Sequence, residues 1–398
     1  MSALARSPIV EAIDAVDADM FLRAEEAFAR VSDVLLREDF TGWDPYDALA
    51  SPLVRAVARS RRTRTVAVQA LRRLPFNPRA LLAVPRIQHV KGLALGVSAY
   101  SRAADSLSDF QYANEAEKLA EVVLGRALER PSGLAWGYEF DVQTRWAYYQ
   151  RGEPNAIVTS FAANALLDAA ALTGRSDFAE AAASAASFAM DELLVTGPGG
   201  AFFAYVPRST VLIHNANVLV AALVARVDRS SELALDAAWT TVRRQHATGA
   251  WPYGERAGLE WVDGFHTAYV LGALQRWVAV GVSDFEQPVS RGLAFYIERL
   301  IDRDGTPRAT PHRRTPVDIH AASSAVATLS RLHKVDDRAV ETAVRVLRWT
   351  LDNLRRSDGR FMFRKYRAGR NSIPYVRWSD AHMLVALAEF VGLRGRNG

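Results

Sequence analysis

From residue 155 onward the chain alternates two patterns of apolar and polar positions. One is small, apolar and nearly charge-free, as in AIVTSFAANALLDAAAL, VLIHNANVLVAALVARV, WVDGFHTAYVLGALQRW, PVDIHAASSAVATLSRL and YVRWSDAHMLVALAEFVGL. The other sets a charged stripe opposite an apolar one, as in DFAEAAASAASFAMDELL, SELALDAAWTTVRRQHA, FEQPVSRGLAFYIERLI and DDRAVETAVRVLRWTLDNLRR. A helix apolar nearly all round must be buried, and one with a polar stripe lies at the surface. The alternation therefore predicts inner and outer helices. Equivalent leucines of the inner helices fall at Leu223, Leu274, Leu329 and Leu387, separated by 51, 55 and 58 residues. That repeat is far too long for a coiled coil and suits stacked helical hairpins. Upstream, EAEKLAEVVLGRALER reads as another outer helix, KGLALGVSAYSRAAD as the first inner one, and Asp17 to Arg37 as the first outer one. Six hairpins result. They can stack as an open solenoid or close into a ring, and the last inner helix, Tyr375 to Leu393, lacks the polar outer face of a solenoid cap. The expectation is an all-α (α/α)6 toroid forming one domain over residues 1–398, with residues 1–75 as its N-terminal helical segment.

Between each outer helix and the next inner one sits a loop that opens with glycine and carries aromatics: SGLAWGYEFD, GPGGAFFAYVP, TGAWPYGE, SDGRFMFRKY and, degenerately, RDGTPRATP. Glycine stops the outer helix, and a short aromatic hairpin leads into the inner one. All inner helices then start from one rim, and their first residues converge on one cavity mouth.

The polar residues at those starts form a dense set. Trp136, Tyr138, Glu139, Asp141, Gln143, Arg145 and Asn155 precede the second inner helix, and His214, Asn215 and Asn217 open the third. Trp251, Tyr253, Glu255, Trp261, Asp263, His266 and Tyr269 accompany the fourth, Asp318 and His320 the fifth, and Tyr375, Arg377, Trp378, Asp380 and His382 the last. Four of the eight histidines of the chain are in this set. The bland alternative is that Asp263, Asp318 and Asp380 cap helices and that the aromatics pack hairpins. For catalysis the candidates are Asp141, His214, Glu255, Asp263 and His266. For substrate binding they are Trp136, Tyr138, Arg145, Asn155, Asn215, Asn217, Trp251, Tyr253, Tyr269, Asp318, His320, Arg377 and Trp378. His214, His266 and His320 lack the short spacing of a metal-binding pair, and glycine-rich phosphate loops are missing, so no metal and no cofactor is expected. Helix N-termini with Arg145, Arg364, Arg367 and Arg377 close by favour an anionic ligand.

Composition changes this picture little. The 398 residues are 49% hydrophobic and 23% charged, as in ordinary globular proteins. There is no cysteine and no apolar leader-like stretch among the first twenty residues, so the cytoplasm is the expected location. A net charge of +5 is mild, but arginines crowd Arg55 to Arg86. Val66, Val68, Leu71 and Leu74 interleave them at near-helical spacing, which reads first as a solvated helix face and second as a contact for an anionic membrane or a polysaccharide-assembly protein. Nucleic acid is not expected as a partner.

Several strings resemble a family of bacterial proteins, mostly uncharacterised, encoded among exopolysaccharide and capsule biosynthesis genes. They are GWDPYDAL, FNPRALLAVPRIQHVKGLAL, WGYEFDVQTR, PNAIVTSFAANALLDA, HNANVL, WPYGE, WVDGFHTAYVL, VDIHAA and PYVRWSDAHM, and they run over nearly the whole chain from Gly42. Ala48 departs from the glycine expected before Leu49. The resemblance implies an (α/α)6 toroid and a role connected with glycans. The fold is also similar to toroid glycosidases, polysaccharide lyases, sugar 2-epimerases and isoprenoid toroids, and fold does not choose among them. A hydrolase needs two carboxylates, which Glu139 or Asp141 facing Glu255 or Asp263 can supply. A lyase or epimerase needs a base at a carbon acid, for which His214 with His266 or Tyr269 is suited, while Asn215, Asn217 and Arg145 hold the substrate carboxylate. The leading expectation is a glycan-modifying enzyme of one of these types, acting on a glycan or anionic sugar. A noncatalytic glycan-binding scaffold comes second. An isoprenoid enzyme comes last, because DxDD and DDxxD strings are missing.

Overall fold

In the computed structural model, residues 18–107 and 109–395 are described. In chain order its helices are α1 (Ala18–Arg37), α2 (Pro52–Val57), α3 (Arg61–Arg73), α4 (Val90–Leu107), α5 (Phe110–Leu124), α6 (Ala156–Thr173), α7 (Ser176–Phe188), α8 (His214–Val227), α9 (Glu232–Val242), α10 (Gly264–Ala279), α11 (Glu286–Leu300), α12 (Ile319–Arg331), α13 (Arg338–Leu354) and α14 (Ala381–Gly395). The inner helices α4, α6, α8, α10, α12 and α14 pack each on the next, and α14 packs back on α4. The outer helices α1, α5, α7, α9, α11 and α13 surround them. This is an (α/α)6 toroid. The Asp17 start expected for the first outer helix lies outside the described residues.

Composition explains the two layers. On α8 His214 through Ala225 are all buried, because both flanking helices and an outer helix cover it. On α13 the apolar stripe Val340, Val344, Leu347, Leu351 and Leu354 is buried at three- and four-residue spacing, and the charged positions between face out. Helix α6 is long and apolar enough to cross a membrane by composition, but most of it is buried in the ring. Its Asn164 and Asp168 hydrogen-bond to Arg226 of α8.

Glycine is required where each loop leaves an outer helix and leans on the next. Gly249 has φ +91°, and a Cβ there would stand 2.4 Å from the Arg291 carbonyl oxygen of α11. Gly359 repeats the step at φ +85° against Arg30 of α1, so the last hairpin docks on the first outer helix. Ion pairs Arg23–Asp352, Arg355–Glu26 and Arg360–Glu38 span the same seam. Phe21 meets Phe390 with ring centroids 5.0 Å apart. Closure thus joins residues far apart in sequence.

Residues 38–89 leave the ring. They carry α2 and α3 and have a small core of their own, made of Ala48, Leu49, Ala58, Val68, Leu71 and Val84. Arg79, wholly buried, ties this lobe down. Its Nε donates to Asp47 at 2.8 Å, its second guanidinium nitrogen donates to the Asp44 carbonyl oxygen at 3.0 Å, and its charge lies over the Tyr375 ring at 4.8 Å. On one side α3 becomes a wall of the mouth.

Candidate functional site

The inner-helix starts, the aromatic hairpins and α3 enclose a cavity of about 510 Å³. Caps fix the helix starts that shape it. Asn155 accepts from the Val158 N–H, Asp263 from that of His266 and Asp318 from that of His320. Asp263 does more. Its second oxygen accepts from the Trp261 Nε1–H at 3.1 Å and lies 2.7 Å from His266 Nδ1. Burial alone would raise its pKa, but the charge and hydrogen bonds of His266 outweigh burial, and the carboxyl sits below the usual carboxylate range. With Nδ1–H donated to Asp263, His266 presents Nε2 to the cavity it lines.

Deeper in, Tyr269 Oη lies 2.6 Å from His320 Nε2 and 3.5 Å from both His382 Nε2 and Lys91 Nζ. Burial holds both histidines well below their ordinary pKa, so both are neutral at pH 7. Burial also drives the Tyr269 phenol upward and keeps it protonated. Lys91 is buried against the Phe161 ring at 4.2 Å, and desolvation followed by the Arg377 charge lowers its pKa well below that of a free lysine. Phe265 touches both imidazoles, with centroids 4.0 Å from His266 and 4.5 Å from His320. Tyr269 also borders a second cavity, at the opposite end of the ring axis.

The rim is aromatic. Trp146 stacks on Trp261 at 5.6 Å, Trp261 on Tyr253 at 4.3 Å, and Tyr149 on Tyr205 at 4.8 Å. Tyr138 and Tyr205 share a hydrogen bond of 2.7 Å between their hydroxyls. Four arginines, Arg72, Arg145, Arg256 and Arg377, line the cavity together with the desolvated Lys91, and no Asp or Glu does so among the described residues. Asp44 stands behind Arg377 at 2.6 Å.

Of the residues expected at the mouth, Tyr138, Arg145, Asn215, Tyr253, Trp261, His266, Tyr269, His320, Arg377 and Trp378 line it, with Asp263 directly behind His266 and His382 behind Tyr269. The others turn away. His214 is fully buried between Thr241 at 3.1 Å and Glu255 at 2.8 Å, and Glu255 lines a separate cleft beside Arg244. Burial lowers the His214 pKa, while the hydrogen bond to His214 lowers that of Glu255, leaving a neutral imidazole that donates to a carboxylate. Asp141 accepts from the Tyr148 hydroxyl and the Arg151 N–H, and Glu139 accepts from the Val90 N–H and contacts His89 Nδ1. Both face a third cleft. The carboxylate pair expected across the mouth, Glu139 or Asp141 with Glu255 or Asp263, is therefore not assembled.

Asn217 holds the Phe203 N–H and the Ala237 carbonyl, Asn155 is a buried cap, and the indole N–H groups of Trp136 and Trp251 go to the Val123 and Thr241 carbonyls. These four serve the fold. Asp318 lies between Arg364 and the Trp378 Nε1–H and supports His320 from behind. Lys91, Arg72, Tyr46, Trp146, Tyr149, Tyr205 and Phe265 also line the mouth, although the sequence did not single them out. Only Lys91 carried a signal, as one of four lysines, set in the first turn of an apolar helix.

A scan against protein-family models gives no match, and a search of curated proteins gives none. Solved structures do match. The cellobiose 2-epimerase of Bacillus thermoamylovorans is similar with TM-score 0.58 at 11% identity, over 76% of this chain and 87% of that one. The GH76 α-mannanase of Bacteroides thetaiotaomicron gives 0.60 at 12%, over 78% and 88%. An inactive α-1,6-mannanase variant of Salegentibacter sp. in complex with α-1,6-mannotriose gives 0.56 at 11%, over 76% and 89%. This chain shares the fold of the carbohydrate-active toroid enzymes. At these identities the likeness carries the fold and not the reaction.

Proposed function

We propose that the mouth exchanges a proton at a carbon atom of an anionic sugar, as an epimerase or lyase does. The observation that carries this reading is the lining itself, which combines imidazoles, a phenol, four arginines and a desolvated lysine without a carboxylate. Hydrolysis by the usual route needs two carboxylates on either side of the bond, and the nearest ones here are engaged behind His266 and Arg377. Removing a proton beside a carboxylate or carbonyl needs a base and positive charge to hold the developing enolate. His266 Nε2, oriented by Asp263, is the base. Tyr269, protonated and bonded to His320, is the acid, and Arg377 holds the substrate's negative charge, which in turn restores the proton on Lys91. The stacked rim supplies flat faces for sugar rings. The sequence resemblance suggests an exopolysaccharide or capsule intermediate as the glycan, and we assign the reaction to the cytoplasm.

The test is incubation with uronate-containing oligosaccharides in deuterium oxide, followed by mass spectrometry and ultraviolet absorbance. Deuterium at carbon without chain shortening means epimerisation, and a new unsaturated sugar means elimination. Either must disappear in His266→Ala. Shortened chains with added water would sink this reading in favour of hydrolysis. Binding with neither exchange nor cleavage would leave a glycan-binding protein.

A further inference from the structure

The lobe of residues 38–89 carries a surface that the mouth does not explain. No Asp or Glu occurs between Asp47 and Asp105, while six of the nine arginines from Arg55 to Arg86 are exposed, namely Arg55, Arg59, Arg61, Arg62, Arg73 and Arg86. Spacing alone suggested that the valines and leucines here are the buried side of a helix. The structure divides them. Val68 and Leu71 are buried, but Val66 is 67% exposed, on the same face of α3 as exposed Arg62, Ala70 and Arg73. In the same lobe Leu53 is 56% exposed, Val57 76%, Phe76 60% and Leu81 86%. Such a concentration of large apolar side chains in solvent marks an interaction surface.

We infer that this lobe docks on an anionic lipid surface. Arginines without intervening acids are attracted to anionic headgroups, and exposed aliphatic side chains gain by entering the acyl boundary. Nucleic acid fits less well, since stacking on bases needs aromatic rings and only Phe76 among the five is aromatic. The opposite side of α3 gives the contact a purpose. Gln69 and Arg72 line the mouth, Arg64 Nε donates to Gln143 at 3.1 Å, and Arg61 donates to the Arg145 carbonyl at 2.9 Å. One helix thus faces the lipid and walls the cavity, which brings the mouth close to the bilayer. This inference does not depend on the reaction proposed above.

The test is co-sedimentation of the full chain with phosphatidylcholine vesicles, with and without phosphatidylglycerol, at low and high salt. Binding is expected only with phosphatidylglycerol and should weaken as salt rises. The triple variant Arg59→Gln, Arg62→Gln, Arg73→Gln should bind on the order of 100-fold more weakly. Phe76→Ser with Leu81→Ser should lose about 10-fold or more at the same charge. All five positions are exposed, so the melting temperature should stay at the parent value, and this is checked alongside. No binding to the anionic vesicles at low salt, binding that the triple variant retains, or binding to an oligonucleotide but not to vesicles would each overturn the inference.

Discussion

Replacing Lys91 with methionine should stabilise the protein and abolish its hold on anionic sugars. The Lys91 amine is buried, and among the described residues its one hydrogen-bond partner is the Tyr269 hydroxyl at 3.5 Å. The groups around it are Arg377, Tyr269, His320 and His382, with Asp44 beyond, already paired to Arg377. Exchanging such a desolvated amine for an apolar side chain of similar length typically gains about 1–4 kcal/mol. An unfolding entropy of ~2.1 cal/mol/K per residue gives about 0.8 kcal/mol/K for a chain of 398 residues, so the gain is about 1–5 °C in Tm. The pH dependence is more specific. The folded pKa of Lys91 is depressed, so below the ordinary lysine pKa of about 10.4 the unfolded chain binds a proton that the folded one does not. Parent stability therefore falls as pH drops through that window, by about 1.4 kcal/mol per pH unit, and Lys91→Met escapes the fall. The Tm difference between variant and parent should be small near pH 10 and widen toward neutral pH. Scanning calorimetry of both proteins across this range measures it. A gap that stays flat, or a variant less stable than the parent at neutral pH, would refute the placement of an uncompensated lysine in the floor.

Asp263→Asn should lower proton exchange by about 10²–10⁴-fold, because the amide no longer fixes the tautomer that presents His266 Nε2. Asparagine still caps α10, so Tm should move little, and exchange kinetics beside calorimetry separate the two effects. Arg79→Met should cost about 3–5 kcal/mol at neutral pH by stranding the buried Asp47 carboxylate. Burial already raises the Asp47 pKa to about 6 despite Arg79, so lowering the pH through that value should return part of the loss in a denaturant titration. His320 and His382, both depressed by burial, should make the parent lose stability as pH falls below about 6.5. His320→Gln should reduce that loss, read from Tm between pH 7 and 5. Trp146→Ala should weaken oligosaccharide binding about 10-fold by removing the outer ring of the Trp146–Trp261–Tyr253 stack, measured by calorimetric titration.

The ring was legible because its cause is periodic. Five apolar helices around Leu223, Leu274, Leu329, Leu387 and the 156–172 segment have no polar side to show to water, and only a closed inner layer hides them all. The rim was legible for the same reason, since glycine and aromatic residues recur at the same point of each repeat. The direction of individual side chains was not. Asp141 and Asp263 stand at comparable places in sequence, yet Tyr148 and the Arg151 N–H hold the first outward while Trp261 and His266 hold the second inward. His214 and His320 both occupy the first turn of an inner helix, yet Thr241 and Glu255 draw one into the wall while Tyr269 draws the other to the floor. For the two histidines, partners 27 to 51 residues away decide the orientation, and no local pattern encodes it.

That turning of carboxylates decides the character of the cavity. Each inner helix begins at the mouth and points the positive end of its backbone dipole there. Asp263 and Asp318 answer that field as caps, Glu139 answers it at the start of α4, and Asp44 and Asp380 are taken up by Arg377 and Arg360. The acids of the rim are therefore engaged with backbone N–H groups and arginines in the layer behind the surface. The surface itself keeps the imidazoles, the phenol and the cations. A neutral glycan held for hydrolysis would leave Lys91 desolvated beside Arg377 with its charged form disfavoured, whereas a uronate or other anionic sugar would restore the ammonium as its counter-charge. On that ground, oligosaccharides that differ only in a carboxylate should separate sharply in affinity, and methylating that carboxylate should cost more than any single hydroxyl.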